Sequence, residues 1–220
     1  MNIFVTGIAG FLGRHIAERM LINGHNVSGC DNLIGGDTNN LPKNVNFFEA
    51  DCCDLENMTK LTKDSDVVYH CAATAHEGLS IFSPSFITKN IYAASVSVFT
   101  ASCINKVKKI IFCSSMARYG NQKAPFNEDM NTKPCDPYGI AKVAAEDTLK
   151  VLAKVHDIKY TIAVPHNIVG PYQKYDDPYR NVMSIMLNRM LKNQPAIIYG
   201  DGSQTRCFSY VDDCIQCLEK

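Results

Sequence analysis

The sequence predicts an α/β protein built on a parallel, doubly wound sheet. Two observations carry that prediction. Short apolar segments of strand type alternate with segments of helical spacing along most of the 220 residues. The first strand, residues 3–6, runs directly into a turn with glycines at positions 7, 10 and 13. Strands separated by helices are joined by right-handed crossovers, which makes neighbouring strands parallel.

The elements follow in order. A helix is expected over 11–23, with Leu12, Ile16, Met20 and the Ala17/Leu21 pair on one side and Gly24 ending it. A strand over 27–30 stops at Asp31, and the Asn- and Gly-rich stretch 32–44 reads as a loop. Strands at 45–48, 67–70, 109–113 and 160–164 alternate with helices at 55–61, 87–104 and 136–155. Beyond Pro165 the pattern loosens: a Tyr-rich loop over 166–179, a helix over 182–191, an apolar segment over 196–199 and a turn at Gly200-Asp201-Gly202. This divides the chain into a dinucleotide-binding domain, 1–165, and a partial substrate lobe, 166–220, with the loop a candidate lid over the substrate.

Composition narrows the function. Lys+Arg and Asp+Glu both number 22, so the net charge is +0 and neither a nucleic acid nor a membrane surface is an expected partner. No run of about 18 apolar residues is present to span a bilayer. The N-terminus lacks the basic start and long apolar stretch of a signal peptide. The 10 cysteines include one C-x-x-C, Cys214 to Cys217, with no second pair to complete a zinc site; no metal is expected. Mostly buried thiols in a reducing cytoplasm are the expectation.

The turn Gly7-Ile8-Ala9-Gly10-Phe11-Leu12-Gly13 carries the first chemistry. Gly7 suits a tight turn, Gly10 lets backbone approach a pyrophosphate, and Gly13 lets helix and strand pack closely; this makes the turn a Rossmann-type dinucleotide site. The helix opening at Phe11 and Leu12 then offers free N–H groups to phosphate. Asp31, at the end of the second strand, is placed to accept hydrogen bonds from an adenosine ribose and to repel a 2′-phosphate, favouring NAD over NADP. Asp51 is expected at the end of the third strand beside the adenine. His70-Cys71-Ala72-Ala73 closes the fourth with small residues that leave room for a flat cofactor.

Tyr138 and Lys142 lie one helical turn apart on one face, and Ser115 follows the strand 109–113. A free Tyr has a pKa near 10, and lowering it by about three units needs roughly 4 kcal/mol. One ammonium at about 4 Å, in a site of effective dielectric near 20, supplies roughly that amount. Lys142 is therefore expected to bring Tyr138 down toward neutral pH.

Together these residues resemble the extended short-chain dehydrogenase/reductases of the NAD-dependent epimerase/dehydratase family, and among them the UDP-glucose 4-epimerase-like enzymes. The resemblance runs from residue 2 to about residue 213. Its motifs are the glycine turn, Asp31-Asn32-Leu33, His70-Cys71-Ala72-Ala73, Phe112-Cys113-Ser114-Ser115 leading to Tyr119-Gly120, Tyr138-Gly139-x-x-Lys142, and Tyr199-Gly200-Asp201-Gly202 leading to Arg206 and Val211-Asp212-Asp213. It implies Tyr138 as acid/base, Lys142 on the nicotinamide ribose and Ser115 on a sugar hydroxyl. It implies Asn167, Asn181 and Arg206 on the nucleotide diphosphate, with Asn32, Cys52 and Asn90 joining the NAD site. It also implies a UDP-sugar or similar nucleotide sugar as substrate, and a homodimer through the helices at 87–104 and 136–155, with Ala93, Ala94, Val96, Val98 and Phe99 as apolar surface.

Three departures stand out. Val164 takes the place of a usual Arg, with His166 beside Asn167; Cys207 takes the place of a usual Asp after Arg206; and family chains continue beyond this length, so an incomplete substrate lobe is expected. The reaction implied is 4-epimerisation of a nucleotide sugar. A 4,6-dehydratase would carry acidic residues just after Ser115, where this chain has Met116-Ala117-Arg118. A UDP-glucuronate decarboxylase, with Arg118 meeting the carboxylate, and a non-catalytic NAD-binding regulatory protein are the other readings.

Overall fold

A computed structural model of the chain describes residues 1–177, 179, 181–198 and 200–219. Six parallel strands form the main sheet: β1 (Asn2–Thr6), β2 (Asn26–Asp31), β3 (Asn46–Glu49), β4 (Val67–His70), β5 (Lys109–Cys113) and β6 (Lys159–Ala163). Their order is β3-β2-β1-β4-β5-β6. The chain winds outward from β1 to β3, then returns to the other side of β1 for β4 to β6. The reversal between β1 and β4 opens a crevice at the carboxyl ends of the strands, where open α/β sheets bind ligands.

Alternation along β1 separates the two faces. Phe4 points to one, among Met58 of α2 (Leu55–Leu61), Val98 and Phe99 of α5 (Ala94–Ile104), and Ala145 and Leu149 of α6 (Pro137–His156). Ile3 and Val5 point to the other, among Ile16, Ala17 and Met20 of α1 (Phe11–Ile22). On that second face lie also Val211, Ile215 and Leu218 of α8 (Val211–Leu218), and the Tyr69 hydroxyl donates to Leu218 O at 3.1 Å. The end of the described chain thus packs on α1 and closes one layer of the sheet. A second, two-stranded parallel sheet pairs β7 (Ile168–Val169) with β8 (Ser209–Tyr210), and α7 (Val182–Leu191) lies between them in sequence.

The helix at 11–23 ends as its glycine implies: Gly24 N–H donates to Leu21 O and His25 N–H to Met20 O, both at 3.0 Å, with Gly24 at φ +77. Other elements differ from expectation. β3 ends at Glu49, so Asp51 lies two residues beyond it. The helix expected over 87–104 begins earlier, as α4 (Pro84–Thr88), and continues through a π turn at Lys89–Ala93 into α5. Within it Ala94, Val98 and Phe99 are buried core, whereas Ala93 is exposed and Val96 half-buried; the first three cannot supply dimer surface. Residues 196–198 form no strand; Pro178 and Tyr199, both in expected turns or motifs, lie outside the described residues. A short helix, α3 (Glu77–Ser80), was not foreseen. No described helix is long and apolar enough to cross a membrane.

His70 ties the middle of the fold together. It is fully buried at the end of β4, between Thr6 and Ser95. Ser95 Oγ donates to Ile91 O at 2.6 Å, so it accepts from His70 Nε2 at 2.9 Å. Thr6 Oγ1 accepts from Ala72 N–H at 3.2 Å, so its proton goes to His70 Nδ1 at 2.7 Å. The ring is therefore neutral and holds its proton on Nε2. Burial, and then the charge of Lys142, push its pKa down to about 3. In the unfolded chain the imidazole takes its proton near pH 6.5; the native one does not, so stability is intact above that pH and falls below it. One such group removes about 2 kcal/mol between pH 8 and pH 5. Chemical unfolding across that range should show this loss, and His70→Gln should flatten the slope by about one proton.

Candidate active site

The crevice at the switch point is a cleft of about 250 Å³, and every residue expected at the cofactor lines it. The glycine turn forms one wall. Gly7 sits at φ +70, and a Cβ there would come within 2.9 Å of Ala72 N and Cα. A Cβ on Gly13 would overlap Gly7 O, so both positions demand glycine. Gly10 is the N-cap of α1, with no side-chain cap and no acidic residue in the first turn. The amides opening α1, at Phe11, Leu12 and Gly13, remain available to an anion.

The far wall is set by the ends of the other strands. Asp31 accepts from Leu33 N–H at 2.8 Å and Ala9 N–H at 3.2 Å, while burial raises its pKa. Asn32 follows it into the cleft. Asp51 accepts from Cys53 N–H at 2.9 Å beyond the end of β3, and Cys52 is buried with its Sγ 3.9 Å from Cys30. Cys71, Ala72 and Ala73 form the floor after β4. The π turn brings in Asn90, whose Nδ2 donates to Phe86 O at 2.8 Å.

The end of the cleft carrying Tyr138 and Lys142 is held by α6. Asp136 caps that helix, accepting from Gly139 N–H at 2.9 Å, and Pro137 starts it. Tyr138 and Lys142 are both buried on its inward face and both line the cleft. The Tyr138 pKa is nevertheless pushed up, to about 12. Burial is the main cause; Ser115, by hydrogen bonding, works the other way, and the carboxylates of Glu77 and Asp136 add to the rise. The expected lowering by Lys142 is absent because that ammonium is turned elsewhere: Nζ donates to Cys113 O at 2.6 Å. Burial lowers Lys142 itself to about 8.

The expected substrate residues lie outside this cleft. Ser115 Oγ accepts from Ala117 N–H at 3.2 Å, and its neighbour Ser114 is the serine on the cleft wall. Asn167, at φ +40, donates from Nδ2 to Cys207 O at 3.0 Å. Asn181 caps α7 through Ser184 N–H at 3.1 Å and donates to Ile168 O at 3.2 Å, so both ends of its amide are engaged. Arg206 is exposed and donates to Thr205 O at 2.8 Å. The loop expected as a lid places Tyr172, Gln173 and Lys174 on the cleft that Tyr138 and Lys142 also line.

Sequence reasoning missed one buried network. Glu146, fully buried, accepts a hydrogen bond from Ser114 Oγ and lies 3.2 Å from the Arg118 guanidinium. Its spacing, one turn after Lys142 on the same face of α6, was the available signal. Arg118 is 12% exposed and paired, so it does not present itself to a substrate carboxylate.

A doubly wound sheet with a glycine turn at its switch point and a Tyr-x-x-x-Lys helix against the same cleft defines a dinucleotide-dependent enzyme of the short-chain dehydrogenase/reductase type. The chain belongs to the NAD dependent epimerase/dehydratase family, which it matches over residues 3–219. It is 33% identical over 226 residues to UDP-glucose 4-epimerase of Mycolicibacterium smegmatis, covering 98% of this chain and 71% of that protein. It superimposes on the UDP-glucose 4-epimerase of Thermotoga maritima with UDP-glucose at a TM-score of 0.93 and 35% identity, covering 98% of this chain and 71% of the other. It also superimposes on the Thermus thermophilus UDP-glucose 4-epimerase complex with NAD at 0.93 and 30% identity, covering 100% and 73%.

NAD fits the residues present. The glycines let the turn fold tightly against Ala72 and bring its backbone to the cleft wall, the start of α1 offers amides to a diphosphate, and Asp31 is the carboxylate that suits an unphosphorylated ribose. Asp136 supplies a test of the phenol's electrostatics. Asp136→Asn keeps an acceptor for the cap and removes a charge, so Tyr138 should ionise at lower pH, read as phenolate absorbance against a Tyr138→Phe reference. Asp136→Ala should also lose roughly 1 kcal/mol of stability with the cap.

Proposed function

We propose that the chain is an NAD-dependent 4-epimerase of UDP-sugars. The observation that carries this is the meeting of Tyr138 and Lys142 with the glycine turn on one cleft. The UDP-glucose 4-epimerases among its relatives support the substrate class. NAD, when bound, supplies the acceptor for the C4 hydride and gives it back.

The other steps belong to the chain. Tyr138 takes the proton of the C4 hydroxyl and later returns it. Ser115, which works to lower the pKa of the phenol, orients that hydroxyl. Lys142 leaves Cys113 O for the nicotinamide ribose and stabilises the phenolate. Arg206 and Asn167 are the proposed holders of the substrate diphosphate, since a guanidinium offers it paired donors; Asn181 would join them only by giving up its cap. The substrate lobe is proposed over 166–220, with α8 anchoring it on α1. Ten cysteines without a disulfide support a reducing, cytoplasmic setting.

Other reactions fit less well. The absence of a carboxylate in Met116-Ala117-Arg118 speaks against a dehydratase, and the engagement of Arg118 by Glu146 speaks against a decarboxylase.

An NMR time course with NAD and, in turn, UDP-glucose, UDP-N-acetylglucosamine and UDP-glucuronate tests this. A C4 epimer should accumulate, and Tyr138→Phe should slow it by roughly 10²–10⁴-fold while NAD stays bound. A 4-keto-6-deoxy sugar or CO2 would overturn the reaction class. We also propose a homodimer through the outer face of α6, where Ile140, Val151 and Val155 are 54%, 63% and 72% exposed. Light scattering should give twice the chain mass, and Val151→Glu should return it to a single chain.

A further inference from the structure

We propose that residues 171–177 form a strap that retains the dinucleotide, with Lys174 and His76 as its direct contacts. The inference rests on the NAD dependence of the family and concerns residues that no part of the glycine turn or the Tyr-Lys helix includes.

The strap crosses the cleft and is fastened on both sides. On one side Tyr172 lies with its ring centroid 3.5 Å from the Arg14 guanidinium, in the first turn of α1. Arg14 is held in turn by Glu18 at 2.6 Å, and its side chain is 8% exposed. His15 meets the Tyr172 ring edge-on and has Nε2 3.1 Å from Pro171 O. On the other side Asp177 Oδ2 lies 2.9 Å from His76 Nε2, with the two side chains only 14% and 11% exposed. The backbone behind the strap is tied as well, since Gln173 Nε2 donates to Ile168 O at 3.1 Å.

Two features point from these fastenings to a ligand. Lys174, two residues beyond the ring stacked on α1, lines the same cleft as Phe11, Leu12 and Gly13 at the helix N-terminus. An anion seated on those amides is also an anion for Lys174. His76 lines the same cleft at 9% exposure, and its Nδ1 is buried without a hydrogen-bond partner among the described residues. A buried ring nitrogen left without a partner is unfavourable; a phosphate oxygen can accept from it when it carries a proton, and a ribose hydroxyl can donate to it when it does not. Asp177 fixes the ring through its other nitrogen, so the side chain that closes the strap also orients the atom that meets the ligand.

The test measures NAD release, not turnover. The NAD-loaded chain is diluted into buffer with excess competing ADP-ribose, and bound NAD is followed in time. Tyr172→Ala and Asp177→Asn should each speed release by about tenfold, the effect expected when one charged contact is lost. Their effects should multiply, because among the described residues Tyr172 is fastened to α1 and Asp177 to His76. Lys174→Ala should weaken equilibrium NAD binding by about tenfold and reduce its dependence on salt. Lys63→Ala, exposed beyond the end of α2 and away from the cleft wall, should leave both unchanged. Melting of the NAD-free variants checks the fold, and His76→Gln replaces Asp177→Asn if the latter melts early. Release rates within about twofold of the unaltered chain would overturn the strap while leaving the cofactor in place. A chain that takes up no NAD would overturn both.

Discussion

The structure depends on how closely the turn after β1 lies against its neighbours. Gly7 N–H and Ile8 N–H both reach Cys30 O, at 2.8 and 3.2 Å, while Gly7 presses on the backbone of Ala72. β1, β2 and β4 thus end together, and the small residues at each end keep the crevice open. His70 is the pin beneath this junction. Its two nitrogens are used by Thr6 and Ser95, and Thr6 in turn holds the backbone of Ala72. Displacing any of these groups moves the wall on which a dinucleotide would lie, before any residue that touches it has changed.

The end of the cleft carrying Tyr138 and Lys142 is positioned by a different force. α6 is long, capped by Asp136 and packed on the core through Ala145 and Leu149, so Tyr138 and Lys142 enter the cleft on a rigid element. Burying a lysine there is unfavourable, and its hydrogen bond to Cys113 O offsets part of the loss. Below it, Glu146 and Arg118 form an ion pair out of water that also engages Ser114. Breaking one member of such a pair leaves the other charge uncompensated. This couples the serine loop after β5 to the helix carrying Tyr138 and Lys142.

The sheet was legible because its strands are short apolar runs and its helices carry an apolar face; the order and type of the main elements follow from that alternation. The glycine turn and Asp31 were legible because backbone proximity and a strand-end carboxylate each require particular residues at particular spacings. What escaped has physical reasons too. The π turn at Lys89–Ala93 changes helical pitch without changing composition. β7 and β8 are two residues each, too short to show periodicity. The direction of the Tyr138 shift depends on where Lys142 points, and a spacing of four residues fixes a face of the helix but not a rotamer. The Tyr-rich loop was recognisable as a covering segment, yet which part of the cleft it covers is decided by Arg14 and His76, distant in sequence.

The opposed shifts of Tyr138 and Lys142 say how such a site can work. A phenol at about 12 and an ammonium at about 8 lie four units apart in the unfavourable order. Forming the phenolate while Lys142 faces Cys113 O is therefore uphill by several kcal/mol at neutral pH. At pH 7 Lys142 is still mostly protonated, and the bond it makes to a neutral carbonyl is worth only about 1 kcal/mol net. An ammonium brought within about 4 Å of a phenolate, at an effective dielectric near 20, gains roughly 4 kcal/mol. Once a ligand draws Lys142 away from the carbonyl, the exchange recovers about 3 of the roughly 7 kcal/mol that ionising the phenol costs at pH 7, and the phenol pKa falls toward its ordinary value. Burial thus keeps the Tyr138 phenol protonated in the bare chain and makes its ionisation depend in part on where Lys142 points.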